Sequence, residues 1–168
     1  MGLFTRRYTI GELLVVDNVR SEKANNSKVE LIRTFHELKK EDLLSKLRAL
    51  FGGKSSVTAY YVIFKLKVTS DTGHSHIVFV KLNPDFDLSD WMNNKVQVYC
   101  DCADFKYRSA YKLNQHDSLF LNDSIKVALG AALTDTPKSK TITSPLCKHV
   151  VAALNWVVSN YAALMRTV

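Results

Sequence analysis

Three cysteines in 168 residues are too few, and odd in number, for the disulfide framework of a small secreted domain. Long apolar runs are missing too. The opening "MGLFTRRYTIGELLVV" is interrupted by Gly11 and Glu12 before it builds the apolar core of a signal peptide, and Arg6 stands where myristoylation wants Ser or Thr. The most apolar stretch, "VVAALNWVVSNYAALM", carries Asn155, Ser159 and Asn160 and is too short to span a bilayer. These absences speak against signal-peptide secretion and against a membrane partner, and leave the cytoplasm as the default location. No block is polybasic: the net charge of +7 divides as +3, +1 and +3 over residues 1–50, 51–100 and 101–168. A diffuse excess of this kind serves solubility as readily as it serves a polyanion. Internal repeats, low-complexity tracts and interdomain linkers are absent as well. "FGGKSS" is no phosphate loop, because Arg48 occupies the position of the first glycine and the next element reads as a strand.

What is present is an ordinary globular composition, 46% hydrophobic and 23% charged, in a length that suits one domain over 1–168. An amino-terminal helical part is expected over 1–53, beginning with a helix from about Thr9 to Arg20. From Ser27 two readings stay open: a long helix begun by a capping box at Ser27 and Glu30, or a short strand "VELIRTF" followed by a helix. Leu43, Leu44, Leu47 and Leu50 recur at helical spacing, and Gly52 and Gly53 stop the pattern. Over 54–168 the best hairpin has Tyr60, Val62, Phe64, Leu66 and Val68 on one face, a turn at "DTGH", then His76, Val78, Val80 and Leu82. The opposite face holds Tyr61, Ile63, Ile77 and Phe79, so both sides of the hairpin are expected to be covered, one of them by the amino-terminal helices. Lys95 to Cys100 reads as a third strand. An irregular stretch follows, then a polar loop between Pro137 and Pro145, then a helix with Val150, Ala153, Leu154, Val157, Tyr161 and Leu164 in one stripe. The expected fold is α+β: a small antiparallel sheet, hairpin plus third strand, packed against amino-terminal helices and a carboxy-terminal helix.

All three cysteines fall into two tight patterns, Cys100 with Cys102 in "CDC" and Cys147 with His149 in "CKH". Residues two apart on a strand point the same way, so the first two sulfurs can converge. A straight strand separates their Cα atoms by about 6.6 Å, so the backbone must curl at Asp101 before both reach one ion. Cys147 and His149 sit at the opening of the last helix, where free N–H groups favour thiolate over thiol. Together they form a Cys3His set, the donor shell of a structural Zn2+. A core role, a disulfide and a catalytic dyad all fit the spacing less well. Cysteines as core hydrophobes would not fall into both patterns, a disulfide between near neighbours is strained, and a catalytic Cys147 and His149 dyad lacks a recognisable orienting partner. His74 and His76 in "GHSH" read as a polar turn, and His36 and His116 as lone histidines. Asp85, Asp87, Asp101 and Asp104 read as turn and cap residues.

The arrangement resembles the SWIM zinc finger, a C-x-C, a variable spacer and a C-x-H, over about residues 95–158. Phe105 matches an aromatic common shortly after the first cysteine pair. The 44 residues between Cys102 and Cys147 exceed the usual spacer. Closing the longer loop costs only about 1 kcal/mol, against an apparent 10–16 kcal/mol or so from structural zinc. "CDCADFKYRSAYKLN" with "SPLCKHVVAALNWV" also looks like long-spacer SWIM-like proteins of large tailed bacteriophages, which implies a virion location. Two roles follow as expectations. One is a non-enzymatic, zinc-stabilised structural protein that binds protein subunits of a larger assembly, most simply in a phage particle, with no small-molecule substrate. The alternative is a nucleic-acid-binding module, with Lys106, Arg108, Lys112 and Lys148 on phosphates and Tyr107 and Tyr111 available for stacking, although a solvated face accounts for those residues as well.

Overall fold

The computed structural model describes residues 7–15, 18–38, 60–134 and 146–166. Helix α1 (Ile10–Leu14) is opened by a capping box, in which the Glu12 N–H donates to Thr9 Oγ1 at 3.2 Å and the Thr9 N–H donates to Glu12 Oε2 at 2.8 Å. Val15 leaves the helical region at φ −69° and ψ 82°. A second helix, α2, covers Asn18–Asn25, so the expected 9–20 helix is two short ones. Strand β1 (Lys28–Leu38) settles the choice left open at Ser27. Ser27 Oγ donates to the carbonyl of Lys23 at 3.0 Å and Glu30 pairs with Lys28, so no capping box forms there. The strand wins because Val29, Ile32, Thr34 and Phe35 are β-branched or aromatic and gain a full partner strand, which an isolated helix would not offer. The part before residue 54 is therefore not wholly helical. The Leu43–Leu50 stripe, the two glycines, the "FGGKSS" segment and the polar loop between Pro137 and Pro145 lie outside the described residues.

Strands β2 (Tyr60–Thr69), β3 (Ser75–Leu82) and β4 (Val96–Cys100) complete an antiparallel sheet of order β1-β2-β3-β4. The hairpin and third strand stand where the alternation places them, and β1 adds a fourth. Its register shifts between Leu31 and Arg33, so Ile32 is the extra residue of a bulge. In the hairpin turn Gly73 has φ +82°, and its N–H donates to the Ser70 carbonyl at 2.9 Å. A methyl group there would touch nothing, so the cost of substitution is the left-handed backbone alone. Gly73→Ala is expected to lower stability by about 1–2 kcal/mol, read as a shifted urea midpoint at unchanged slope.

Strand β4 is followed by a π turn (Phe105–Ser109) and the helices α3 (Ala110–Gln115) and α4 (Asp123–Leu129). The stretch expected to be irregular is thus mostly helical. Leu113, Ile125 and Leu129 anchor it in the core, and Asn122 caps α4 by accepting from the Ile125 N–H at 2.8 Å. The final helix, α5 (Lys148–Leu164), lies across the inner sheet face. Val150, Ala153, Leu154 and Val157 are fully buried against Val62, Phe64, Leu66, Val78, Val80 and Val98. Val151 and Ala152 are buried too, because α2 packs on a second side of α5. On the outer face Phe120 stacks on Phe79 at 5.1 Å, and Phe105 meets Tyr99 edge-on at 5.7 Å. That cover comes from the chain after the first cysteines, so both sides of the hairpin are covered.

Candidate metal centre

Three elements converge at one end of the sheet. Cys100 closes β4 on its inner face, opposite Val78 of β3. The chain then turns: the Asp101 N–H still donates to the Ile77 carbonyl at 3.2 Å, and by Cys102 a helical turn has begun, with the Lys106 N–H reaching the Cys102 carbonyl at 3.1 Å. This is the curl that the C-x-C spacing demanded. Cys147, with extended backbone at φ −78° and ψ 160°, is the N-cap of α5, and His149 lies in its first turn.

Cys100, Cys102, Cys147 and His149 are all buried, and their four donor atoms lie within 4.8 Å of one another. Cys100 Sγ is 3.9 Å from His149 Nδ1. A tetrahedral zinc shell with ordinary Zn–S and Zn–N bonds has edges of about 3.5–3.8 Å, so side-chain adjustments of about an ångström close it. The protein atoms alone leave the cluster unsatisfied. His149 Nε2 is buried without a hydrogen-bond partner. Burial pushes the Cys100 and Cys147 thiols well up. Cys102 is pulled far below the ordinary thiol range, first by hydrogen bonds from Cys100 and Cys147. It also accepts the Phe105 N–H at 3.3 Å. Without a cation three sulfurs and an imidazole are packed together with few other partners. A divalent cation that accepts three thiolates and an imidazole removes the conflict, and the Cys3His donor set is that of structural Zn2+. All three cysteines are free, so no disulfide competes.

His76 and Asp101 belong to this corner as well, although "GHSH" reads as a turn. His76 pairs with Val68 on β2, and its ring lies 4.3 Å from that of His149. Its Nδ1–H donates to Asp101 Oδ1 at 2.9 Å. The alternation His76, Val78, Val80, Leu82 already carried the signal, since it aims His76 inward.

The basic residues after the first knuckle are largely engaged. Lys106 Nζ donates to the Ala128 carbonyl at 2.8 Å, Arg108 pairs with Asp104 at 3.0 Å, and Lys148 reaches Asp71 at the hairpin tip at 3.2 Å. Lys112 is half-buried on α3. Three of the four are thus tied to three different neighbours. Tyr111 accepts from Gln115 Nε2 at 2.7 Å, while Tyr107 stands 67% exposed.

The family model of the SWIM zinc finger matches residues 76–113 and 141–155. The first segment takes in β3, β4, the first cysteine pair and most of α3, and the second holds Cys147, His149 and the opening of α5. No curated protein and no solved structure matches the chain. Among the described residues no helix is long and apolar enough to cross a membrane. Over these residues the chain is similar to the SWIM zinc finger, and its Cys3His cluster is consistent with structural Zn2+.

Proposed function

We propose that the protein is a non-enzymatic interaction module: zinc fixes the sheet to the final helix, and the surface beside the metal docks on protein neighbours in a larger assembly. The observation that carries this reading is the closure of the shell. All four donors are buried, so no coordination position opens to a substrate. Next to the knuckle, Tyr107 on the π turn and Val127 on α4 are 67% and 83% exposed. The bond from Lys106 to Ala128 ties the two elements together. Exposed apolar side chains fixed on a rigid corner suit a protein interface. A place in a phage particle is part of the same proposal and rests on the wording of the motif alone.

Nucleic acid is the second reading, favoured by the exposed Tyr107 ring with Lys106 at 5.9 Å and Arg108 beside it. One experiment separates the two. Protein isolated from its native source is expected in a complex that survives moderate salt, and the double variant Tyr107→Asp, Val127→Asp is expected to leave it with its zinc content unchanged. A complex that dissolves with salt, losing about one power of ten in affinity per tenfold salt for each phosphate engaged, would transfer the role to nucleic acid. A lone monomer, with neither kind of partner, would end both readings.

A further inference from the structure

The four ligands are buried, with Cys102 and His149 only 4% and 6% exposed and Cys100 and Cys147 closed off almost entirely, so a hydrated ion in solution has little direct access to them. Ligand exchange at zinc proceeds one donor at a time, and a shell of this kind needs a donor that touches both water and the cluster. His76 is placed for that. Its side chain is 27% exposed, while its ring lies 4.3 Å from His149, itself buried. Asp101, between the two cysteines of the first pair and 42% exposed, accepts the His76 Nδ1–H at 2.9 Å. With Nδ1 engaged by the carboxylate, Nε2 is the ring nitrogen left for a metal, the arrangement by which carboxylates orient imidazoles for metals. No ligand role falls to His76 in the C-x-C and C-x-H pattern.

We propose that the His76–Asp101 pair is a transfer site for the zinc ion: His76 Nε2 holds the cation briefly on its way between solvent and the buried cluster, and the Asp101 carboxylate offsets its charge. The proposal rests on the zinc assignment of the centre. It makes His76 a route and assigns it no share in the final shell, so it governs rates and leaves affinity alone.

The test uses the zinc-loaded, full-length protein and follows replacement of bound zinc by an enriched zinc isotope with mass spectrometry, alongside the dissociation constant from competition with a chromophoric chelator. His76→Phe keeps a ring over His149 and removes both nitrogens. It is expected to slow isotope exchange by about tenfold, some 1.4 kcal/mol in the barrier, with the dissociation constant within about threefold. Asp101→Asn, which keeps size and removes charge, is expected to slow exchange in the same sense. Exchange that is unchanged or faster in His76→Phe would overturn the transfer site and make His76 a shield. Exchange that changes only in proportion to affinity would overturn it too, and make the pair an ordinary outer support. An unsubstituted protein that binds no zinc at all would overturn the metal assignment, and the transfer site with it.

Discussion

Stripping zinc with a chelator at neutral pH is expected to unfold the carboxy-terminal half, from β4 to the end of α5. The near-ultraviolet signals of Trp91, just before β4, and Trp156, on α5, should vanish together. The scale of the effect follows from two magnitudes. Structural zinc in finger peptides contributes an apparent 10–16 kcal/mol or so, and a domain of this size is stable by about 5–15 kcal/mol in all. Losing the first leaves little or nothing of the second. The geometry points the same way, because Cys147 and His149 fix the start of α5 to the end of β4. Once the cation is gone, three buried sulfurs and an unpartnered imidazole nitrogen remain packed together. Water relieves all of them, and it is reached by letting α5 go. Cys102→Ser should reproduce the loss without a chelator. Complete removal of zinc with both tryptophan signals intact would mean that apolar packing alone holds α5 in place.

The Cys3His cluster was legible because its logic is local: C-x-C at a strand end and C-x-H at a helix start each bring two side chains to one side of one element. The hairpin was legible for the same reason, since Val62 to Val68 and Val78 to Leu82 alternate without a break. What escaped was decided by partners far along the chain. Whether Val29 to Phe35 forms a helix or a strand depends on β2, which begins at Tyr60. Thr9 and Glu12 fit the capping-box pattern as well as Ser27 and Glu30 do, and only the tertiary position of each pair decides which one caps. The place of His76 beside the cluster needed both the alternation of β3 and the turn after β4 that brings Asp101 to it, which no single segment encodes.

The same coupling gives a second large effect, at a residue that is not a ligand. Phe64 lies in the middle of β2 on the inner face, is fully buried, and packs with the core that α5 covers. Phe64→Ala removes most of that ring and leaves a cavity, at a cost of about 3–5 kcal/mol. In a protein whose zinc site forms only as the chain folds, binding free energy is folding free energy. The cost should therefore reappear in the metal affinity. At 1.4 kcal/mol per power of ten, apparent zinc affinity is expected to fall by two to three orders of magnitude or so, with every ligand in place. Phe64→Leu, which refills most of the volume, should recover much of the loss in both quantities. Competition titrations against a chromophoric chelator, run beside urea unfolding of the zinc-loaded proteins, measure the two on one free-energy scale. Equal losses would establish that β2 and the metal corner fold as one unit. An unchanged zinc affinity in a protein destabilised by several kcal/mol would show instead that the Cys3His corner assembles independently of the sheet, and the zinc would then hold a local knuckle alone.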